Sequence, residues 1–209
     1  MKTSKEFYTE LKVEGLAQRK KLVHTKKELA DLKRILDKKQ KILDAACGYG
    51  RFTIPLAKAG YQIGGIDITP IFIKKARELA KKDKLNIKFK IGDIRKLPYK
   101  DNSFDIIICM WSAFLELNKK SDQLKAIKKM SRALKKNGFV FMEMSPPFKK
   151  LKGRIVDKKS KDEIIIKKNI TIGKTSNIES PAMYRHNKKT LVDLFKKTKT
   201  KRYKIDITN

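Results

Sequence analysis

Ile42-Leu-Asp44-Ala-Ala46-Cys47-Gly48-Tyr49-Gly50-Arg51 is the stretch on which the reading of this chain turns. Residues 41–46 are an apolar run with the composition of a buried strand. Gly48 and Gly50 follow at once, ahead of a helical segment over residues 51–59. Glycines at the carboxyl end of a first strand let the backbone pass close to a ligand, and the helix N-terminus beyond them offers free N–H groups to a carboxylate or phosphate. Working outward, residues 61–66 read as a second strand. Thr69-Pro70 then supplies an N-cap and a first-turn proline for a helix to about residue 82. Residues 86–91, 104–110 and 139–144 are the third, fourth and fifth strands. Between the last two lies a helix with Leu124, Ile127, Ser131 and Leu134 on one face, with Asn137-Gly138 as its stop. Strands alternating with helices imply an α/β fold, doubly wound and Rossmann-like, with a mainly parallel sheet covered by helices on both faces.

The flanks differ from this core. Residues 5–37 form a Lys-rich helical segment whose apolar positions are Leu11, Leu22, Leu29, Leu32, Ile35 and Leu36. Residues 151–180 hold a β-rich insert, notably 163–166 and 169–172; a helix over 187–197 and a strand over 202–207 follow. A single domain over residues 1–209 is expected: an N-terminal helical segment (1–40), a core (41–146), and the insert, last helix and last strand (147–209).

The chain has 209 residues and a net charge of +31, from 53 Lys plus Arg against 22 Asp plus Glu. With 40% hydrophobic residues it can bury a core, which excludes disorder throughout. No apolar run approaches a membrane span and the N-terminus has no signal-peptide core, so a soluble, cytoplasmic protein is expected. Two cysteines, Cys47 and Cys109, make no disulfide framework and no zinc-type spacing, and no metal is expected. The charge admits a nucleic-acid partner. However, 44 of the basic residues are Lys and 9 are Arg, and the excess is spread along the chain: +7 over residues 1–41, +11 over 42–146 and +13 over 147–209. Phosphate and base contacts favour the planar guanidinium, so a compositional Lys bias and a binding face both remain open.

The chemistry lies in three acids at successive strand ends. Asp44 precedes the glycine turn. Asp67 ends the second strand, where a carboxylate can accept both hydroxyls of a ribose. Asp93 ends the third, where it can accept from an adenine amino group while Ile68 and Ile94 sandwich the ring. A nicotinamide-binding site would need Gly-x-Gly-x-x-Gly, but Gly48-Tyr-Gly50 continues as Arg51-Phe52-Thr53.

From Lys41 to Met144 the chain resembles the class I S-adenosylmethionine-dependent methyltransferases. Residues 42–51 resemble the family's first motif. Gly65-Ile-Asp67-Ile-Thr-Pro resembles its ribose-binding second strand, and Gly92-Asp93-Ile-Arg-Lys-Leu-Pro98 its adenine-side loop. Ser103-Phe-Asp105-Ile-Ile-Ile-Cys109 resembles its fourth strand, and Arg132-Ala-Leu-Lys-Lys-Asn-Gly138 the turn before its fifth. Cys-Gly-Tyr-Gly-Arg followed by Ile-Pro-Leu-Ala, together with Met183-Tyr-Arg-His-Asn, is similar to a small-molecule-type subgroup. Ala46 stands where the motif's first glycine usually lies, a place where alanine still permits tight strand-to-helix packing. Ser145-Pro-Pro-Phe148 fits the tetrapeptide of amino-directed nucleic-acid methyltransferases, but follows the fifth strand instead of the fourth and reads as an exit turn. Enzymes of this fold usually end in an antiparallel strand pair, of which residues 202–207 would be the first member.

The resemblance implies S-adenosyl-L-methionine as cofactor, S-adenosyl-L-homocysteine as product, and methyl transfer by in-line displacement. Asp44, Ala46, Gly48 and Gly50 would serve the methionine end, Asp67 the ribose, and Asp93 and Ile94, with Ile68 on the ring's other side, the adenine. The Cys109 carbonyl would face the methionyl ammonium. Trp111 and Phe114 would shape an acceptor pocket, to which Tyr8 would be brought by an N-terminal segment that in this family often folds over the cofactor as a lid. Glu116 is the one catalytic candidate, as a proton acceptor; Phe114 as core and Glu116 as an ordinary helix-start acid are the competing readings. His24 and His186 read as surface residues. The acceptor implied is a small molecule, with an RNA (tRNA or rRNA) methyltransferase or a basic nucleic-acid-binding module on the same fold as the alternative; oligomeric state is left open.

Overall fold

The computed structural model describes residues 3–18, 22–144, the strand segments 155–159, 163–167, 169–172, 176–179 and 183–186, and residues 193–194 and 196–197. Helices α1 (Ser4–Gln18) and α2 (Leu22–Ile35) lead into β1 (Lys41–Ala45), α3 (Thr53–Lys58), β2 (Gln62–Asp67), α4 (Pro70–Lys82), β3 (Phe89–Ile91), β4 (Phe104–Cys109), α5 (Lys120–Ala133) and β5 (Leu134–Met142).

These five strands form one parallel sheet in the order β3-β2-β1-β4-β5. The period-2 pleat sorts the side chains onto two faces. Leu43, Ala45, Ile107 and Cys109 pack with Ala126, Ile127 and Met130 of α5. Their neighbours Ile42, Ile106 and Ile108 pack on the other face with Leu32, Leu36 and Leu56. Strands buried on both faces explain why β1 and β4 read as continuous apolar runs rather than alternating ones.

Helix α4 buries Phe72, Ile73, Ala76 and Ala80 at helical spacing. Pro70 follows the extended Thr69, as a first-turn proline should, although the Thr69 side chain makes no cap hydrogen bond. Helix α5 ends at Ala133 rather than at Asn137-Gly138. The chain turns straight from Ala133 into the extended Leu134, and β5 takes in Asn137 and Gly138 across a register shift between Phe104 and Ile106. Leu134 is therefore the first strand residue, not part of the α5 face. Thr53 is the first residue of α3, two later than expected, because Arg51 and Phe52 complete the glycine turn.

The N-terminal segment divides in two. Helix α2 is followed directly by a core position, Leu36, and buries Leu32 on the sheet. Helix α1 instead packs on α4 through a separate cluster of Phe7 and Leu11 with Tyr8 and Leu16. Lys12, at φ 57° and ψ 178°, breaks α1.

Beyond β5 lie β6 (Ile155–Lys159), β7 (Glu163–Lys167), β8 (Asn169–Ile172), β9 (Ser176–Glu179) and β10 (Met183–His186). They form an antiparallel sheet β10-β7-β6 and a pair β8-β9, and among the described residues none joins the parallel sheet. Strand β9 lies beside α1, and β10 beside the 3-10 turn Ala113–Glu116. Met183–His186, expected to precede a helix, is thus itself a strand. Residues 193–194 and 196–197 are helical, within the expected last helix. The Ser145–Phe148 tetrapeptide and the strand expected over 202–207 lie outside the described residues. Among the described residues no helix is long and apolar enough to cross a membrane.

Candidate functional site

In a parallel sheet with this order, the helices leave β1 and β4 toward opposite faces. A crevice therefore opens between their carboxyl ends. A cavity of about 420 Å³ lies there, within the ordinary range for ligand sites.

One wall is built from the ends of β1, β2 and β3. Ala46, Gly48, Asp67, Ile68, Asp93 and Ile94 all border the cavity, so residues spread over nearly fifty positions meet at one place. Asp67 is 7% exposed. Its Oδ2 accepts from Gly48 N–H at 2.8 Å and its Oδ1 from Thr69 N–H at 2.8 Å. Burial pushes this carboxyl above its ordinary value, against the lowering effect of those two N–H groups. The acid thus orients the glycine turn as well as facing the cavity. Asp93 Oδ2 accepts from Arg95 Nε and Nη2 at 2.8 and 2.6 Å, and Arg95 Nη1 continues to Asp122 at 2.7 Å on α5. This bridge, which the sequence reading missed, ties the adenine-side loop to the helix across the cavity. Its only sequence trace is an Arg two residues after the strand-end acid.

Three expected residues stand elsewhere. Asp44, 1% exposed, lies behind the turn and accepts from Thr53 Oγ1 at 2.7 Å, bracing the start of α3. Gly50 does not border the cavity. It has φ +87°, and a Cβ there would sit 2.8 Å from Ile54 Cδ1, so its need is for packing against α3. Cys109 is fully buried, and its carbonyl accepts from Glu143 N–H at 3.1 Å, extending the β4–β5 ladder. Burial pushes its thiol up to about 12, so neither it nor Cys47, also raised by burial, is a thiolate near neutral pH. Ala46 adopts φ +67°, a left-handed conformation in which alanine is strained; the turn keeps the glycine backbone without the glycine.

The second wall follows β4. Trp111 and Ser112 both take left-handed φ values, 66° and 60°. Glu143, just past β5, holds them: Oε2 accepts from Trp111 N–H at 2.6 Å, and its carbonyl accepts from Ser112 N–H at 2.9 Å. The Arg51 guanidinium lies 4.2 Å from the Phe52 ring and 4.9 Å from the Trp111 ring, and pairs with Glu28 of α2. Its Nε and Nη1 are buried without a hydrogen-bond partner among the described residues, and burial lowers its pKa despite Glu28. An acid closing the strand 139–144 was the one available sign of Glu143. Trp111 and Glu116 border the cavity, whereas Phe114 is 1% exposed and packs in the α5 core. Phe114 is therefore core, and not part of the acceptor wall.

The roof is α1. Thr3, Ser4, Lys5, Tyr8 and Leu16 border the cavity, and the Tyr8 phenol donates to Glu116 Oε1. The side chains of His24 and His186 lie outside the described residues.

Comparison with known proteins identifies the family and the fold. Residues 36–202 match the methyltransferase domain family. The chain belongs to the class I S-adenosylmethionine-dependent methyltransferase family. This methyltransferase-domain chain is 33% identical over 119 residues to the demethylmenaquinone methyltransferase of Deinococcus radiodurans, covering 56% of the chain and 48% of the relative. It thus spans about half the length of the curated relatives it matches. A crystal structure of the PH0226 protein from Pyrococcus horikoshii superposes with a TM-score of 0.66 at 26% identity, covering 90% of this chain and 84% of that one. An S-adenosylmethionine-dependent methyltransferase from Clostridium acetobutylicum gives a TM-score of 0.62 at 16% identity, over 88% of this chain and 82% of that one; it shares the fold.

The residues fit the family's cofactor. The cavity offers a carboxylate pair, Asp67 and Asp93, to the polar edges of a nucleoside, and Ile68 and Ile94 to its ring.

Proposed function

We propose that this chain is an S-adenosylmethionine-dependent methyltransferase acting on a small-molecule acceptor. The observation carrying the reading is the single cavity that joins the β1–β3 acids to the Trp111–Glu116 wall beneath α1. Asp67 would hold the ribose, Asp93 and Ile94 the adenine, and Ala46 and Gly48 the methionine end. When bound there, the cofactor supplies an electrophilic methyl group on a sulfonium. The chain's own work is to align the acceptor and exclude water, which supplies much of the acceleration in a displacement that releases a neutral thioether. Trp111, fixed by Glu143, and Tyr8, on α1, would flank the acceptor. Glu116 would accept its proton. In this reading residues 1–209 act as one domain, α1 serves as the lid, and the relatives' small acceptor is carried over as a class, not as an identity.

Calorimetry with S-adenosylmethionine tests the premise: saturable binding is expected, lost on Asp67→Ala. No binding, or binding indifferent to that change, sinks it.

A second reading, an enzyme acting on RNA, draws on the +31 charge and the +13 excess over residues 147–209. It requires tight RNA binding at physiological salt with a steep salt slope. Weak binding without sequence or structure preference favours the small molecule.

A further inference from the structure

One end of the cavity is braced by three charged side chains in series. Asp93 and Arg95 follow β3, Asp122 lies in the first turn of α5, and all three border the cavity. Among the described residues, the Asp93 carboxylate takes its donors from Arg95. Its Oδ1 accepts the Arg95 N–H at 2.8 Å, and its Oδ2 accepts Nε at 2.8 Å and Nη2 at 2.6 Å. The guanidinium reaches across to Asp122 Oδ2 through Nη1 at 2.7 Å. Both acid side chains are largely buried, at 19% and 16% exposed, so water competes little for either. A carboxylate offers about four lone-pair positions, two on each oxygen. Two donors fill Oδ2, which leaves one position on Oδ1 for a ligand. An acceptor with one open place, held on both oxygens, cannot turn to meet a different partner. It suits an amino group, and it sets oxygen against oxygen where a base carries an oxo group. The guanidinium would be the natural donor to such an oxo group, but its Nε, Nη1 and Nη2 are each engaged with a carboxylate.

We propose that Arg95 determines which base the site accepts. Clasped between Asp93 and Asp122, it fixes Asp93 as an acceptor toward the base and is itself held back from donating there. The site therefore takes a 6-aminopurine and rejects a 6-oxopurine. Arg95 acts through Asp93 and is a positioning residue. This rests on the methyltransferase reading, in which Asp93 meets the adenine, and adds to it the means by which the base is selected.

The test uses the full chain with S-adenosylhomocysteine and S-inosylhomocysteine, which carry an amino and an oxo group at the 6-position of the same purine. Calorimetry reads both affinities at one pH and salt concentration. The unsubstituted chain is expected to favour the adenosyl form about a hundredfold or more, because the oxo analogue leaves the Asp93 acceptor unpaired. Arg95→Gln and Arg95→Lys should each cut that ratio about tenfold or more, the lysine because a point charge cannot hold two acids at once as the planar fork does. Asp122→Asn, which loosens the clasp from the α5 side, should lower the ratio as well, and thermal melts check that each variant is folded. A merely structural role predicts equal losses for both ligands, so an unchanged ratio in a folded Arg95 variant overturns the proposal. A ratio near one in the unsubstituted chain overturns it whether or not the variants fold. Should neither Arg95 variant fold, an unchanged ratio in Asp122→Asn overturns it in the same way. Absence of S-adenosylhomocysteine binding to the unsubstituted chain would instead strike the underlying methyltransferase reading.

Discussion

Ala46 holds the left-handed conformation that its place in the turn demands, at φ +67°. Its N–H still donates to Ile66 O at 2.8 Å, and Cys47 N–H to the same carbonyl at 3.0 Å, so the turn cannot relax without losing both. For an L-residue this backbone region costs roughly 1–2 kcal/mol relative to the right-handed one, a cost that glycine avoids. Ala46→Gly is therefore expected to stabilise the protein by about 1 kcal/mol, read as a higher midpoint in urea or heat. An unchanged or lower midpoint would show that alanine's smaller unfolded-state entropy outweighs the strain. The identity of residue 46 was plain in the sequence, but its backbone angle was not. That angle is imposed by the pairing of residues 46 and 47 with the end of β2, a contact twenty residues away.

Asp105 shows how an element is fixed by a single side chain. At the start of β4, its Oδ2 accepts from Lys41 N–H on β1 and from Lys135 Nζ on β5, both at 2.9 Å. Hydrogen bonding from Lys135 first, and then from the Lys41 N–H, holds its carboxyl below the ordinary 3.8. A carboxyl lowered on folding stabilises above its unfolded value, and that stability fades as pH falls through the folded value. Asp105→Asn should thus cost about 0.5–1 kcal/mol at neutral pH, as expected for a partly exposed pair. The gap from the unsubstituted chain should close in acid below pH 3.8. A gap constant with pH would refute the ionic account.

Helix α1 is the other element whose role is testable. Its anchor is Phe7, 1% exposed and outside the main core clusters. Phe7→Ala removes a buried aromatic, a change worth about 3–5 kcal/mol where the surroundings stay fixed. Because the anchor cluster is separate, the loss is expected to fall on α1 docking rather than on the sheet. Cofactor affinity should drop about tenfold or more, while hydrogen exchange in β1 and β4 stays slow and that in residues 4–18 becomes fast. Equal loss of protection in the central strands would mean α1 is part of the global unfolding unit.

At the scale of the whole molecule, the cavity gathers four carboxylates within a strongly basic chain, with Lys5, Arg51 and Arg95 also on its border. The cavity is bordered by Asp67, Asp93, Glu116 and Asp122, and Arg95 and Arg51 are each engaged with carboxylates there or beside it. Among the described residues, lysines on helix surfaces such as α4, where Lys74, Lys81 and Lys82 are exposed, contribute to the excess. Nonspecific RNA binding is accordingly expected to weaken by orders of magnitude between 50 and 200 mM salt, with S-adenosylmethionine affinity nearly unchanged over the same range. Parallel losses of both would place the lysines in the site.

Strand identity, the doubly wound class and the three strand-end acids were legible in the linear chain, because apolar runs, glycines and periodicity report local constraints on backbone and burial. The register of those strands turned residues 46–48, 67–68 and 93–94 into one wall. Which acids face a ligand was decided only in three dimensions: Asp67 and Asp93 border the cavity, while Asp44 turns back to Thr53. The same is true of the pairings Tyr8–Glu116, Arg95–Asp122 and Trp111–Glu143, which join distant segments and leave no periodic trace. Sequence pattern records what each segment buries; tertiary structure alone sets which segments meet, because hydrogen-bond partners across a cavity are chosen by the packing of whole elements.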